Sequence, residues 1–549
     1  MASLKPKLFS VMKSYTKDQF VKDVISGIIV AIIALPLSIA LALASGVSPE
    51  QGIYTAIVAG FIIAFLGGSR VQISGPTAAF ATIVAGIVAG KGMEGLVIAT
   101  IMAGIILILM GIFKFGTLIK FIPYTITTGF TAGIAVTILV GQIKDFLGLS
   151  VVSDHPLIET VDKLVYDFKF INTFNPQAFL IGLISLAILI LWPMIKRPKF
   201  ISKIPPSLIA VIVAAVLVKA LNLKVNTIGD LYTISNALPK FSVPAVSFKT
   251  ITDLLPSAFT IAILAAIESL LSCVVSDSMV NSRHNSNMEL VAQGAGNIAS
   301  ALFGGIPATG AIARTAANVK SGGRTPIAGM VHSVVLLLVL VILMPYAALI
   351  PMPTIAAILF MVAYNMSGWR TVVNLIKTAP KSDVLVLVAT FALTVIFDLV
   401  VAIEVGMVLT AVLFIKRMSE ETLVQGWKLI EDENDPDSIS LRKVPENTMV
   451  YEISGPMFFG AADKILGITV SEEMTNLILR MRSVNAIDST AINALSTIHG
   501  KCVKNNVRLI LSHVNQQPME IIKKSGLYEQ IGADNFCAHI DDALKRAEE

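Results

Sequence analysis

Charged residues are scarce in this chain. Aspartate, glutamate, lysine and arginine make up 14% of its 549 residues, whereas hydrophobic residues make up 55%. Soluble globular proteins carry a charge on about 25% of their residues. The scarcity of charge therefore excludes a soluble enzyme of this size. The net charge of +5 is too small to indicate a nucleic-acid partner.

Cysteines and nucleotide-binding motifs are also scarce or missing. Cys273, Cys502 and Cys537 are widely spaced in the sequence, which fits neither a disulfide framework nor a zinc motif. The sequence contains no phosphate-binding GxxxxGKS or GxxxxGKT loop, so a pump driven by nucleotide hydrolysis is disfavoured. We therefore predict no cofactor, no metal ion and no catalytic residue.

The charges that are present concentrate near the C-terminus. Of the 79 charged residues, 34 lie in the last 133 residues. This distribution predicts a membrane part followed by a soluble domain of ordinary size. We predict a lysine-rich cytoplasmic arm over residues 1–20, a transmembrane part over 21–416, a linker over 417–440 that contains an acidic run, and a soluble domain over 441–549.

The transmembrane part contains repeated apolar segments that can cross a hydrocarbon layer about 30 Å thick. Counting both long and interrupted segments predicts fourteen spans. With the N-terminus inside, the inner segments then hold 20 lysines and arginines and the outer segments hold 8. Because cytoplasmic loops collect these residues, the bias supports both the count and a cytoplasmic C-terminal domain. The predicted segments are Val24–Leu43, Tyr54–Leu66, Pro76–Gly90, Leu96–Ile112, Thr125–Val140, Ala178–Leu191, Leu208–Leu221, Ala258–Val275, Leu290–Phe303, Thr309–Lys320, Ile327–Met344, Thr354–Tyr364, Leu385–Ile396 and Val400–Ile415.

The soluble domain alternates short apolar strands with helices, which predicts a small α/β fold. Asp488–Ser489–Thr490 precedes one of these helices and fits an N-cap; a regulatory phosphorylation site at Ser489 or Thr490 is the alternative. The predicted strands are Met449–Ile453, Leu477–Met481 and Val507–Ser512, and the predicted helices are Ser489–Asn505, Pro518–Ser525 and Ile540–Glu549.

Two spans in corresponding halves of the membrane part are interrupted by glycine and proline. One begins with Ser74–Thr77 and the other with Gly304–Thr309. Such a pair is typical of an inverted-repeat carrier whose site lies at the membrane midplane. If each segment is extended before it turns helical, two positive helix ends converge and can bind an anion. The alternative is that glycine and proline only kink ordinary spanning helices.

Glu268 lies near the middle of a predicted span, where a charge costs about 2.5 to 3.5 kcal/mol on insertion scales. It should therefore face a partner or a cavity. Arg314, in the second interrupted span, is a candidate partner and could equally contact a bound anion. The alternative is a Glu–Arg pair that only joins two helices.

Several motifs resemble those of the sulfate permease (SulP) family, whose animal members form solute carrier family 26. Residues 49–56 (PEQGIYTA) and 67–70 (GGSR) resemble the family signature, although Gln51 and Ile53 replace the usual Tyr and Leu. Residues 73–79 (ISGPTAA) resemble the motif of the third span. Gly455–Pro456 and Asp488–Ser489–Thr490 are similar to parts of the family's STAS domain.

The resemblance implies fourteen spans as inverted repeats of seven, a moving core beside a gate, and a homodimer. It matches Glu268 to the position linked to ion coupling. The blocks around Glu268 and Arg314 look closest to bacterial proton-coupled C4-dicarboxylate carriers. The implied substrate-binding residues lie at the start of the third and tenth spans: Ser74, Gly75, Pro76, Thr77, Ala78, Ala308, Thr309, Gly310, Ala311 and Arg314.

We therefore expect a secondary active anion transporter of the bacterial inner membrane, with both termini cytoplasmic. The expected cargo is a C4-dicarboxylate or sulfate, moved with a coupling proton. A sodium-coupled bicarbonate carrier and an uncoupled channel or exchanger are the alternatives within the family. A membrane-anchored regulator that acts through a partner of its STAS domain is the alternative outside transport.

Overall fold

The computed structural model describes residues 4–117, 123–153, 157, 159–194, 204–397, 399–426 and 438–549. The predicted acidic run Glu431–Asp437 lies outside these residues. The chain divides into two compact units, Met1–Met407 and Val408–Glu549, so the division falls inside the helix Leu399–Glu421. Residues 417–440, predicted as a linker, include the end of this helix and the strand Leu423–Gly426.

Eight helical segments in the described ranges are long and apolar enough to cross a membrane. One of them contains a break at Gly92, where φ is 68° and ψ is −174°, and therefore supplies two spans. Five further helices complete the fourteen predicted spans. In chain order, spans 1 to 14 are Lys17–Ala44, Pro49–Leu66, residues 74–91, residues 93–112, Tyr124–Gly141, Pro176–Leu191, Pro206–Ala220, Phe248–Val280, Ser286–Leu302, residues 309–320, Ile327–Leu343, Met352–Ser367, Lys381–Ile396 and Leu399–Glu421. Shorter helices in this part of the chain include Lys7–Val11, Ile143–Leu147, Thr160–Lys169, Ile228–Leu231 and Trp369–Thr378.

Local sequence signals set where these helices begin. The Thr16 hydroxyl accepts from the Gln19 backbone N–H at 3.2 Å and caps span 1. Span 2 begins with Pro49 after Ser48, and the Gln51 side chain accepts from the Ser48 N–H at 3.0 Å to close a capping box. Gln51, one of the two departures from the family signature, thus has a structural use.

The spans pack as two groups. Spans 1–4 pack with spans 8–11 and form the first helix group. Spans 5–7 pack with spans 12 and 13, and Gly406 of span 14 lies against Thr390 and Ile126, so these spans form the second group. Small residues bring helices of the first group close together: a Cβ on Gly294 of span 9 would lie 2.4 Å from the Gly104 carbonyl oxygen of span 4. Spans 1 and 3 meet spans 5, 7 and 12 along the seam between the two groups.

The C-terminal unit contains a five-stranded sheet in sequence order. The first two strands pair antiparallel and the remaining neighbours pair parallel, as α/β connections favour. Alternate residues of the central strand enter separate cores, with Leu477 and Leu479 on one face and Ile478 on the other. The strands are Leu423–Gly426, Thr448–Ser454, Asn476–Ser483, Arg508–Ser512 and Phe536–Cys537; the helices are Ala462–Leu466, Ser489–Lys504, Gln516–Lys524, Leu527–Ile531 and Ile540–Glu548.

All three predicted strands and all three predicted helices of this unit are present, with ends within two residues of the prediction. The first strand, Leu423–Gly426, was not predicted because it is short and lies on the edge of the sheet. The two-residue strand Phe536–Cys537 is likewise too short to show a period.

Candidate functional site

The two interrupted segments pair with each other through their backbones. Ser74–Gly75 and Thr309–Gly310 form a two-stranded antiparallel ladder, with Ser74 opposite Gly310 and Gly75 opposite Thr309. They are therefore extended segments in contact, and not kinks within continuous helices. Spans 3 and 10 are each the third span in a set of seven. The extended segments that precede their helices run antiparallel, as inverted repeats require.

A helical segment leaves the ladder on each side. Span 3 turns helical at Ala78–Phe80, and span 10 does so at Ile312. Neither start has a side-chain hydrogen bond to its cap among the described residues. Backbone N–H groups and the positive ends of two helix dipoles therefore flank the ladder, which is the arrangement that favours a bound anion.

Arg314 reaches from span 10 back to span 3. Its side chain is buried, and Nη2 donates a hydrogen bond to the Pro76 carbonyl oxygen. Nη1 is buried without a hydrogen-bond partner. A buried donor on a charged group is costly to leave unsatisfied, so Nη1 needs an acceptor that the described protein does not provide. An oxyanion at the ladder would provide one.

Gly75 makes room for this guanidinium. A Cβ added to Gly75 would lie 2.7 Å from Arg314 Nη1. Such a contact is far too close for unbonded atoms, so any larger residue would displace the arginine. The lack of a side chain at Gly75 in the first interrupted segment therefore leaves space for the Arg314 guanidinium of the second.

Glu268 of span 8 contacts the start of span 3 through Thr77. Its Oε2 accepts a hydrogen bond from the Thr77 hydroxyl at 3.0 Å. Glu268 and Arg314 do not bond to each other: the first contacts Thr77 and the second contacts Pro76. No direct ion pair between Glu268 and Arg314 joins the two helices in the described residues; the two side chains instead contact adjacent residues of span 3.

Some predicted binding residues already use their polar groups within the protein. The Ala308 N–H donates to Asn297 Oδ1 at 2.8 Å, and the Ala308 carbonyl oxygen accepts from Asn297 Nδ2 at 2.9 Å. The Thr309 hydroxyl donates to the Ala265 carbonyl oxygen at 3.1 Å. The Ala311 N–H donates to the Ile73 carbonyl oxygen at 2.9 Å. These residues hold the ladder in place.

Ser74 is also tied to its surroundings, because its hydroxyl accepts from Gln293 Nε2 at 3.3 Å. Its backbone and that of Gly310 belong to the ladder. The predicted residues thus divide into those that build the ladder and those at the start of span 3. Pro76, Thr77 and Ala78 belong to the second set.

A buried carboxylate that the sequence reasoning missed supports this segment. Glu289 of span 9 is fully buried and accepts hydrogen bonds from the Gly68 N–H, the Ser69 N–H and Gln72 Nε2 at 2.9, 3.1 and 2.8 Å. Gln293 Nε2 also donates to it at 2.9 Å. Glu289 thereby fixes the turn that leads from span 2 into the ladder. Glu289 lies in the first turn of its helix, just before the predicted segment Leu290–Phe303. A carboxylate is common at that position, so no sequence pattern marked it.

In the C-terminal unit, Asp488 caps the helix Ser489–Lys504. Its Oδ1 accepts from the Ala491 N–H at 2.8 Å, and its Oδ2 accepts from the Phe459 N–H at 3.0 Å. The N-cap prediction is confirmed. Ser489 is exposed and Thr490 is half-buried beside this cap.

Comparison with known families identifies both units. A family model described as "Sulfate permease family" matches residues 20–390, and one described as "STAS domain" matches residues 439–543. A putative sulfate transporter of Bacillus subtilis (strain 168), YvdB, is 42% identical over 540 residues, covering 96% of this chain and 98% of the relative. The bicarbonate transporter BicA of Picosynechococcus sp. is 30% identical over 546 residues, covering 96% and 94%.

Two solved structures share the fold. The murine Slc26a9 anion transporter in the inward-facing state superimposes with a TM-score of 0.87 at 20% identity, covering 99% of this chain and 94% of that one. The transmembrane domain of a cyanobacterial BicA superimposes with a TM-score of 0.61 at 28% identity, covering 72% and 98%. At 20% identity the first likeness supports the fold alone.

Proposed function

The chain belongs to the sulfate permease family of membrane anion transporters and carries its STAS domain, and from this premise we propose that it is a secondary active carrier of a small oxyanion, with sulfate as the first candidate. The observation that carries the proposal is Arg314, whose buried Nη1 lacks a partner beside two helix starts. A charge-assisted hydrogen bond from this guanidinium to an oxyanion is stronger than one between neutral groups. The 42% identity to a putative sulfate transporter supports sulfate as the cargo.

Bicarbonate is the second candidate, because a bicarbonate transporter is 30% identical across 96% of the chain. A C4-dicarboxylate, the third candidate, would use the same donors through one of its carboxylates. The donors around Thr77 and Arg314 do not distinguish a sulfate oxygen from a carboxylate oxygen. Direct competition between these anions is therefore the informative measurement.

The proposed mechanism is alternating access. The first helix group holds both interrupted spans, so its movement along the second group would carry the anion from one side of the membrane to the other. Rigid packing of this group, with crossings as close as that of Gly104 and Gly294, supports movement as a unit. An uncoupled channel would use the same site without this movement.

Glu268 is the proposed coupling residue. It contacts Thr77 at the start of span 3, beside the anion site. Protonation would remove a negative charge next to the incoming anion, so proton and anion would bind together. Sodium held by the carboxylate would give the same coupling and is the alternative.

The proposed setting is a homodimer in the bacterial inner membrane with cytoplasmic termini. The 20 lysines and arginines of the inner segments against 8 of the outer ones support this orientation. We keep residues 21–416 as the transport part and 441–549 as the STAS domain, which would bind a cytoplasmic partner or be regulated at Ser489 or Thr490.

Uptake by purified protein in liposomes tests the proposal. Radiolabelled sulfate is offered with an inward proton gradient, an inward sodium gradient or neither, and unlabelled sulfate, bicarbonate, fumarate and succinate compete. We expect proton-driven accumulation of sulfate, and counterflow of labelled for unlabelled anion. Downhill flux without accumulation would indicate a channel, and no flux of any of these anions would contradict transport.

A matched pair of variants tests the site itself. Arg314→Ala removes the unpaired donor, and Lys320→Gln removes an exposed cation from the other end of the same helix. We expect Arg314→Ala to weaken anion affinity about tenfold or more, because it removes a charged hydrogen bond, and Lys320→Gln to leave it unchanged. Equal effects of the two variants would remove Arg314 from the site.

A further inference from the structure

A second polar cavity lies at the end of the first helix group where the chain begins. Its volume is about 270 Å³. The N-terminal arm, the turn between spans 2 and 3, the end of span 8 and the loop between spans 10 and 11 form its walls, through residues that include Tyr15, Arg70, Val280 and Arg324. None of these walls belongs to the second helix group. The cavity is therefore separate from the seam along which the transported anion would pass.

Arg70 contributes a positive charge to the lining of this cavity. Its guanidinium has no hydrogen-bond or ion-pair partner in the part of the chain that the structure describes, and its Nε is buried. A guanidinium carries five N–H donors and stays charged at all relevant pH values. Leaving a buried charged donor unsatisfied costs free energy, which an anionic acceptor in the cavity would recover.

Arg324 supplies a second cation to the cavity lining. Its Nη1 donates to the Val319 and Gly323 carbonyl oxygens at 2.7 and 2.8 Å, which holds the side chain in place. Carbonyl oxygens bring no formal negative charge. Both arginines line the same cavity, and neither guanidinium forms an ion pair with a carboxylate among the described residues.

Two helix starts add to the positive potential. Span 1 begins at Lys17, directly after Thr16 on the cavity wall. Span 11 begins at Ile327, two residues after Thr325, which also lines the cavity. The N-terminal end of a helix dipole favours an anion.

Asp23 is a buried carboxylate that is bound by residues of these walls, including Gln19, whose Nε2 donates to it at 2.9 Å. It accepts from the Tyr15 hydroxyl at 3.0 Å, the Arg324 N–H at 2.9 Å and the Thr325 hydroxyl at 2.5 Å. Burial, followed by the nearby Asp23 carboxylate, raises the pKa of Tyr15 to about 12, so the phenol remains a donor. Asp23 thus joins the arm to the helix group, and among the described residues its side chain is not paired with either guanidinium.

We propose that this cavity binds a phosphate group and that the bound phosphate holds the N-terminal arm on the first helix group. Two arginines and two helix starts suit a compact oxyanion with several acceptors, and arginine forks match phosphate geometry. The phosphate could be free inorganic phosphate or the headgroup of an anionic phospholipid, since the cavity is partly open. The proposal does not depend on the transport cycle or on the identity of the transported anion.

Binding to full-length protein in lipid nanodiscs tests the proposal. In one arm, nanodiscs of phosphatidylcholine alone are titrated with inorganic phosphate by calorimetry. In the other, phosphatidylglycerol replaces part of the phosphatidylcholine, and native mass spectrometry counts retained phosphatidylglycerol. Hydrogen exchange of residues 11–19 is measured in both arms. We expect inorganic phosphate, phosphatidylglycerol or both to bind and to slow hydrogen exchange in the N-terminal arm. The experiment in which exchange slows identifies the source of the phosphate group.

Arg70→Gln is the test variant and Arg283→Gln the control, because Arg283 is an exposed arginine outside the cavity lining. We expect Arg70→Gln to weaken binding about tenfold or more and to abolish the slowing of exchange, and Arg70→Lys to fall in between. The melting temperature of unliganded Arg70→Gln should equal that of the wild type. Binding of neither source, equal weakening by both Gln variants, or a lower unliganded melting temperature of Arg70→Gln would overturn the proposal.

Discussion

The guanidinium of Arg314 occupies the space that a side chain at Gly75 would need: a Cβ there would lie 2.7 Å from Nη1. The two residues come from the two interrupted spans, which are more than two hundred positions apart in the sequence. Their fit links the first half of the chain to the second at the proposed anion site. It also gives a substitution whose effect should act through the arginine.

Gly75→Ala should displace Arg314 and weaken anion affinity about tenfold, because the guanidinium could no longer hold its place beside Pro76. Gly90→Ala is the control on the same span, since a Cβ there would meet nothing within 4 Å. Binding titration of sulfate to both purified variants measures the difference. Equal affinity of Gly75→Ala and wild type would show that the arginine tolerates displacement or does not bind the anion.

Glu268→Gln should retain sulfate exchange and lose proton-driven accumulation. The amide can still accept from the Thr77 hydroxyl, so the site keeps its geometry while the titrating group is gone. Counterflow and uptake under a pH gradient measure the two properties in the same liposomes. Glu94→Gln, which neutralises an exposed carboxylate at the start of span 4, is the control and should change neither. Full proton-driven accumulation by Glu268→Gln would exclude Glu268 as the coupling residue.

Glu289→Ala should destabilise the membrane part by about 3 kcal/mol or more, because it leaves several buried donors without an acceptor. Melting curves of purified protein in detergent measure this effect. Glu94→Ala, which removes an exposed carboxylate, should have the same melting temperature as the wild type. A melting temperature of Glu289→Ala close to that of Glu94→Ala would mean that water replaces the lost acceptor.

Removal of the STAS domain should leave transport in place, since the proposed anion site lies wholly in the membrane part. The position of the cut should matter. A chain that ends at Glu421 loses the whole sheet, whereas one that ends at Ser440 keeps the strand Leu423–Gly426 without its partner Thr448–Ser454. We expect the shorter chain to stay monodisperse and the longer one to aggregate through its free strand edge.

Size-exclusion chromatography and sulfate uptake of the two truncated chains test this expectation. Aggregation of both chains to the same extent would show that the free strand is not the cause. If well-folded protein ending at Glu421 gave no flux, the STAS domain would have to take part in the transport cycle.

The sequence alone determined the spans, the soluble α/β domain and the two interrupted segments. These features are local: the length of an apolar run, the period of a strand and the presence of Gly75–Pro76 can each be read within a few residues. Asp488 as an N-cap was predictable for the same reason, because a cap acts on its own helix. Arg314 and Glu268 were found as rare charges in apolar surroundings.

Only the tertiary structure decided which buried polar groups meet. The sequence offered Arg314 as a partner for Glu268, but Pro76 and Thr77 of span 3 take their hydrogen bonds instead. Ala308 looked like a binding residue, and Asn297 occupies both of its backbone groups. A buried donor or acceptor is satisfied by whichever group the packing brings within about 3 Å. That proximity depends on how distant helices cross, which no local pattern in the sequence encodes.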